Sequence, residues 1–203
     1  MIVSTKNVSL SFLAVVLIGL LVGCFRSNSI ATKNVLLETS FSPGTQEHEC
    51  PYPVQLGTVY GTGISPFDKT ILMFTIKQLL LDLCEGHFSH LLSFVHKETG
   101  LFVDAKGYWK TEEVKADLQD SNGYFALYYF DSEKLDLKKG TKGNLTIRDV
   151  FGMAGAVYVD IFVGSKEEVE VKFRFPKDPK LERYLINPNF IKIKNTWYLH
   201  RMF

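Results

Sequence analysis

The side chains best suited to acid–base chemistry in this chain are His87, His90, His96 and His200, with Asp104 and Asp160 as acidic partners. A general base needs a partner within hydrogen-bond reach and surroundings that move its pKa toward the working pH. His96 and Asp104 bracket a short apolar segment, so a strand between them would let the two meet at the mouth of a sheet. The competing role for His96 is that of a helix C-terminal residue, where a cation complements the dipole. His200 and Asp160 fall on strand faces shared with Glu170, Lys172 and Arg174, which read as a solvated ladder of opposite charges. Metal chemistry has less to build on. His48-Glu49-Cys50 holds ligand-type residues, but adjacent residues seldom close a site alone. No His-x-x-x-His or paired-cysteine spacing, glycine-rich phosphate loop or Gly-x-Ser-x-Gly elbow occurs, so no metal or cofactor is implied.

The three cysteines pose a different question, set by the first 24 residues. One cation, Lys6, precedes Val8 to Gly23, 16 residues without a charge. As a helix that run would span roughly 24 Å, short of the ~30 Å hydrocarbon core. A positive start, a short apolar run and a small residue before the break describe a secretory signal peptide over residues 1–23. Leu21-Val22-Gly23-Cys24 resembles the lipobox of bacterial lipoproteins. That resemblance implies a diacylglyceryl group on the Cys24 thiol, cleavage before Cys24 and acylation of the new amino terminus. Several chains on one residue anchor stably, where one acyl chain gives only marginal binding. With Cys24 lipidated, Cys50 and Cys84 are the remaining pair. A compartment outside the cytoplasm permits a disulfide between them. The alternative is a buried Cys84 thiol on a helix and a free Cys50 in a linker.

Without residues 1–23 the chain keeps 180 residues, with 22 Lys or Arg and 22 Asp or Glu. That length supports one stable core. A balanced charge argues against a nucleic-acid partner and against electrostatic docking on acidic lipid. Sixteen Phe and nine Tyr suit an aromatic-packed sheet.

These candidate residues need elements to hold them. Residues 24–63 read as the lipidated N-terminus and a flexible tether, because Ser, Thr, Gly and Pro dominate without periodicity. A single domain is expected over 64–203. Ser65-Pro66-Phe67-Asp68 marks a helix start, and Leu72, Ile76, Leu79, Leu80 and Leu83 follow at helical spacing. Gly86 should end this helix, before a second short one carrying Phe88, Leu91, Leu92 and Val95. "GLFVDAKGYW" reads as a strand or short hairpin, "KTEEVKADLQD" as a helix capped by Thr111, and "YFALYYF" as a strand. Residues 131–145 read as a charged loop. Thr146 and Asp149 mark a capping box for another short helix. The last third alternates apolar and polar residues, which predicts four half-exposed antiparallel strands with a tight turn at Asn195.

Helices on one face of a curved antiparallel sheet make an α+β domain. The element order, and the ending "NTWYLHRMF", resemble the NTF2-like (cystatin-like) folds, in which a bent sheet wraps an N-terminal helix into a cone. The additional helix near residue 147 departs from that pattern. The chain as a whole resembles uncharacterised lipoproteins of spirochaetes. These resemblances imply a protein held in the cell envelope by its acylated N-terminus. Phe25, where many bacteria place an inner-membrane retention Asp, favours the outer membrane by that analogy. Two functions follow. The first is a non-enzymatic lipoprotein displaying an α+β domain for binding or envelope structure, with an aromatic-filled interior. The second is a small-molecule binder or enzyme with His96 or Asp104 in an open cone pocket.

Overall fold

The computed structural model of the chain describes residues 50–203. The expected signal peptide, the Cys24 site and most of the expected tether lie outside the described residues. The rest is α+β: four helices and a mixed, seven-stranded sheet in the order β1-β4-β5-β6-β7-β2-β3.

Helix α1 (Pro66–Glu85) begins as its sequence dictates. The Ser65 hydroxyl oxygen accepts the Asp68 N–H at 3.0 Å and donates to the Asp68 carboxylate at 2.8 Å, with Pro66 at the first helical position. Gly86, at φ 87°, takes the left-handed conformation that ends the helix. Leu72, Ile76, Leu79, Leu80 and Leu83 form its buried stripe.

The four C-terminal strands appear as expected: β4 (Val157–Ser165), β5 (Glu168–Arg174), β6 (Asn189–Ile193) and β7 (Thr196–Arg201). Successive pairs are antiparallel. Lys194 and Asn195, both at positive φ, make the tight β6–β7 turn. The short strands β2 (Leu101–Val103) and β3 (Gly107–Trp109) form the expected hairpin, and β2 lies parallel to β7.

Strand β1 (Val54–Tyr60) corrects the tether reading of that stretch and the all-antiparallel sheet. It pairs parallel to β4, from Val54 opposite Val157 to Tyr60 opposite Phe162. Its glycines, which suggested a linker, have a different cause. The β1–β4 register shifts between Leu56 and Val59. At that bulge the Thr58 N–H donates to the Asp160 carboxylate at 2.8 Å, and a Cβ on Gly57 would run into the same carboxylate. The domain therefore includes residues from about Cys50 onward. Tyr52 is buried, and Cys50 is disulfide-bonded to Cys84 in the last turn of α1, with Cα atoms 5.8 Å apart.

The helical layer holds the other corrections. Helix α2 (Thr111–Gln119) has Lys110, not Thr111, at its cap position, and Glu113 reaches back to the Lys110 N–H at 2.7 Å. "YFALYYF" is helical, with a π turn over Ala126–Phe130. The Asp117 carboxylate caps its start, accepting the N–H groups of Tyr124 and Phe125 at 2.7 and 2.9 Å. Phe125 and Tyr129, four apart, both bury against Phe88, so aromatic packing overrides the β propensity of the run. The expected charged loop contains α3 (Ser132–Lys139), started by Asp131 and anchored by the buried Leu135. Helix α4 (Ile147–Ala154) has the expected Thr146–Asp149 capping box. Helix α1 thus follows β1, and α2–α4 lie together between β3 and β4, so the helices are not gathered at the N-terminus.

Two contacts tie the layers together. Trp197 Nε1 and Lys192 Nζ, from β7 and β6, each donate to Asp68 Oδ1 in the first turn of α1 at 2.8 Å. Buried rings then run continuously from Phe88 through Tyr129 and Phe203 to Phe151, Phe173 and Phe175, with neighbouring centroids 5.1–5.9 Å apart. The Tyr129 hydroxyl donates to the Phe203 carbonyl inside this cluster.

Candidate functional site

His96 and Asp104 flank β2, as the sequence suggested, but no hydrogen bond or ion pair joins them among the described residues. The His96 ring lies edge-on to Tyr198, with centroids 4.9 Å apart, and its buried Nδ1 has no hydrogen-bond partner among the described residues. Asp104 is exposed, at φ 26°, in a short 3-10 turn. Neither residue lines any of the larger cavities among the described residues.

Asp160 is not on a solvated face. It is 6% exposed, and after accepting from Thr58 it takes Arg174 Nε at 3.0 Å, whose Nη1 reaches Glu182 at 3.1 Å. The chain of bonds links β1, β4, β5 and the 3-10 turn Pro179–Tyr184. His200 sits in a small polar groove with Phe102, Tyr108, Glu168, Glu170, Asn189 and Arg201. Burial, partly offset by Glu168, lowers its pKa, and the Tyr108 hydroxyl lies 3.0 Å from Nε2. Glu170 is occupied by Arg201 at 2.6 Å and Asn187 at 2.7 Å, while the buried Nδ1 of His200 has no hydrogen-bond partner among the described residues.

The carboxylate–imidazole pair that does exist is Asp82 and His90. Fully buried Asp82 accepts the His90 N–H at 2.7 Å and contacts Nδ1 at 2.7 Å. His90 is half exposed, lines none of these cavities, and the nearby Ser93 hydroxyl donates to the His90 carbonyl at 2.6 Å. The pair braces the chain where it leaves α1. Its sequence signal is an Asp and a His eight residues apart across the capping Gly86, a spacing with no general meaning.

The largest of these cavities, about 700 Å³, lies among helices and has no strand residue in its lining. Gly86, Phe88 and Ser89 line it where α1 ends, Leu118 and Ser121 at the end of α2, Phe125 just before the π turn with Ala126 and Phe130 on it, Asp131 at the cap of α3 with Lys134 on it, and Arg148 on α4. Arg148 Nη2 donates to the Cys84 carbonyl at 2.9 Å, and the Arg148 side chain also interacts with the Tyr52 hydroxyl. No carboxylate forms an ion pair with Arg148 among the described residues. Sequence reading missed this cavity because its residues come from five separate segments.

Among the described residues no three His, Cys, Asp or Glu converge on a metal-sized site, and no helix is long and apolar enough to cross a membrane. Comparison of the chain with models of protein families, with curated proteins and with solved structures returns no match.

Proposed function

We propose that the protein is a lipid-anchored component of a bacterial cell envelope, held by acylated Cys24, and that its α+β domain serves binding or envelope structure without catalysis. The lipobox-like Leu21-Val22-Gly23-Cys24 and the run before it support the anchor. The Cys50–Cys84 disulfide supports a site outside the reducing cytoplasm. The observation that carries the non-catalytic reading is the continuous file of buried aromatic rings from Phe88 to Phe175, which occupies the interior where an enzyme of this size would open a pocket. The placement of α1 ahead of the β4–β7 meander, with its first turn bonded to Trp197, supports the NTF2-like reading in which the sheet wraps that helix. By the retention analogy at Phe25 the anchor lies in the outer membrane.

Metabolic labelling with a palmitate analogue tests the anchor. The wild-type chain is expected to take up label and to appear cleaved at Cys24, whereas Cys24→Ala accumulates as an unlabelled precursor. Equal labelling of the two would refute it.

A further inference from the structure

We propose that the groove between the outer edge of β1 and helix α1 binds an extended peptide segment, acidic on either side of an apolar residue, which adds to the sheet as a further strand. The proposal rests on the reading of the domain as a binding module and is independent of the lipid anchor. Strand β1 ends the sheet and pairs only with β4. The Val157 N–H donates to the Pro53 carbonyl at 2.8 Å, so in this register the backbone groups of Pro53 and Gln55 face β4 and those of Val54 and Leu56 face outward. Among the described residues no strand bonds that outer edge, and β1 carries none of the lysines or prolines that commonly guard one. Its bulge begins only after Leu56.

Val54 and Leu56 lie opposite the buried Val157 and Val159, so they share the core-facing side of the sheet. Leu56 is nonetheless 43% exposed, because the sheet stops there. Helix α1 supplies the other wall, with Phe74, 61% exposed, and the half-buried Met73. Phe74 and Lys77 line both of two adjoining depressions, about 480 Å³ beside Leu56 and about 320 Å³ beside Val54, so the groove follows the strand. An added strand sets every second side chain against Leu56, Met73 and Phe74 while its backbone meets the outward groups of Val54 and Leu56. The chain as a whole is balanced in charge, but this groove is not. Lys69 and Lys77 line it, no Asp or Glu does, and neither lysine forms an ion pair among the described residues. They stand eight residues apart on α1, about 12 Å along its axis, close to the ~13 Å between residues i and i+4 of a strand. Two acids at that spacing, with an apolar residue midway, answer both lysines from one face of the added strand. Bilayer lipid fits less well, since it leaves the outward N–H and C=O groups of β1 without partners. A second copy docked edge to edge about a two-fold axis sets its own lysines against these.

Fluorescence anisotropy tests this, with the full chain in phosphatidylcholine nanodiscs and the fluorescein-labelled peptide Ser-Thr-Glu-Thr-Leu-Thr-Glu-Thr-Ser as probe. Saturable binding is expected, at least about tenfold tighter than that of the same peptide with Gln for both Glu. Moving each Glu one place outward puts it on the opposite face of the strand and should cost as much. N-methylation of the central Thr-Leu-Thr removes the N–H groups of either edge and should abolish binding. Lys69→Gln combined with Lys77→Gln should lower the Glu peptide to the level of the Gln peptide and leave the Gln peptide unchanged. Phe74→Ala, at an exposed position, should weaken both peptides while the thermal midpoint holds. Absence of saturable binding, equal affinity for the Glu and Gln peptides, or undiminished binding of the N-methylated peptide or to either variant would each overturn the proposal. So would stronger quenching of a Phe74→Trp variant than of the wild-type chain by brominated phosphatidylglycerol in the nanodisc, which makes lipid the occupant. Sedimentation as a dimer that Phe74→Ala dissociates would make it a second copy and overturn the proposal equally. None of these results bears on acyl labelling at Cys24, so failure of the two readings is separable.

Discussion

Asp68 shows how much one side chain can carry. Burial pushes its carboxyl pKa up, but hydrogen bonds from Lys192, Trp197 and Ser65 outweigh it and hold the group down at about 2. A group with a depressed folded pKa stabilises the fold above its unfolded value of about 3.9 and loses that contribution as pH falls toward 2. Asp68→Asn is therefore expected to cost about 2 kcal/mol at pH 7 and almost nothing at pH 2. Urea melts of both proteins across pH 2–7 measure the convergence; parallel curves would show that Asp68 is not the titrating group. Gly57 makes a complementary case. Gly57→Ala should destabilise by about 1–3 kcal/mol through overpacking against Asp160. That cost should shrink in an Asp160→Ala background, a double-mutant cycle that separates the clash from any intrinsic effect of the glycine. The capping role of Asp68 was legible, since Ser-Pro-x-Asp is a local signal. Its bonds to Lys192 and Trp197, over 120 residues away, were not.

Among the elements, those whose cause is local were readable and those whose cause is distant were misassigned. Helix α1, the α4 capping box and strands β4–β7 follow from caps and strict alternation. Strand β1 looked like linker because its glycines serve a bulge against β4, and nothing near residue 57 reports the position of Asp160. The 124–130 run looked like strand because its rings favour sheets, yet Asp117 and Phe88 draw it into a turn of helix. His96 and Asp104 were placed correctly on either side of β2 but left without a bond between them, while the unforeseen cavity draws on five segments. A direct consequence concerns the domain boundary. A chain begun at Gly63 lacks β1 and the disulfide, exposing the Val157, Val159 and Ile161 edge of β4. It is expected to lose cooperative unfolding by circular dichroism, whereas a chain begun at residue 45 keeps it.

For the molecule as a whole, the Cys50–Cys84 bridge closes a loop with a sequence separation of 34 residues, joining the approach to β1 with the end of α1. Such a loop contributes about 2–4 kcal/mol, so reduction should lower the urea midpoint without changing the folded circular dichroism spectrum. A spectrum that collapses on reduction would mean the aromatic core cannot hold β1 unaided.

The parallel β1–β4 pairing also imposes a schedule. Val54 meets Val157, so the first strand to emerge waits for a partner about 100 residues behind it. At ordinary synthesis rates that gap is about 5–20 s, during which β1 has no neighbour in its sheet. Contacts of such long range close late and slow the search for the native state. The β1 seam should therefore be the final event of assembly: Gly57→Ala would accelerate unfolding and leave the refolding rate nearly untouched, a kinetic signature readable from a single chevron plot.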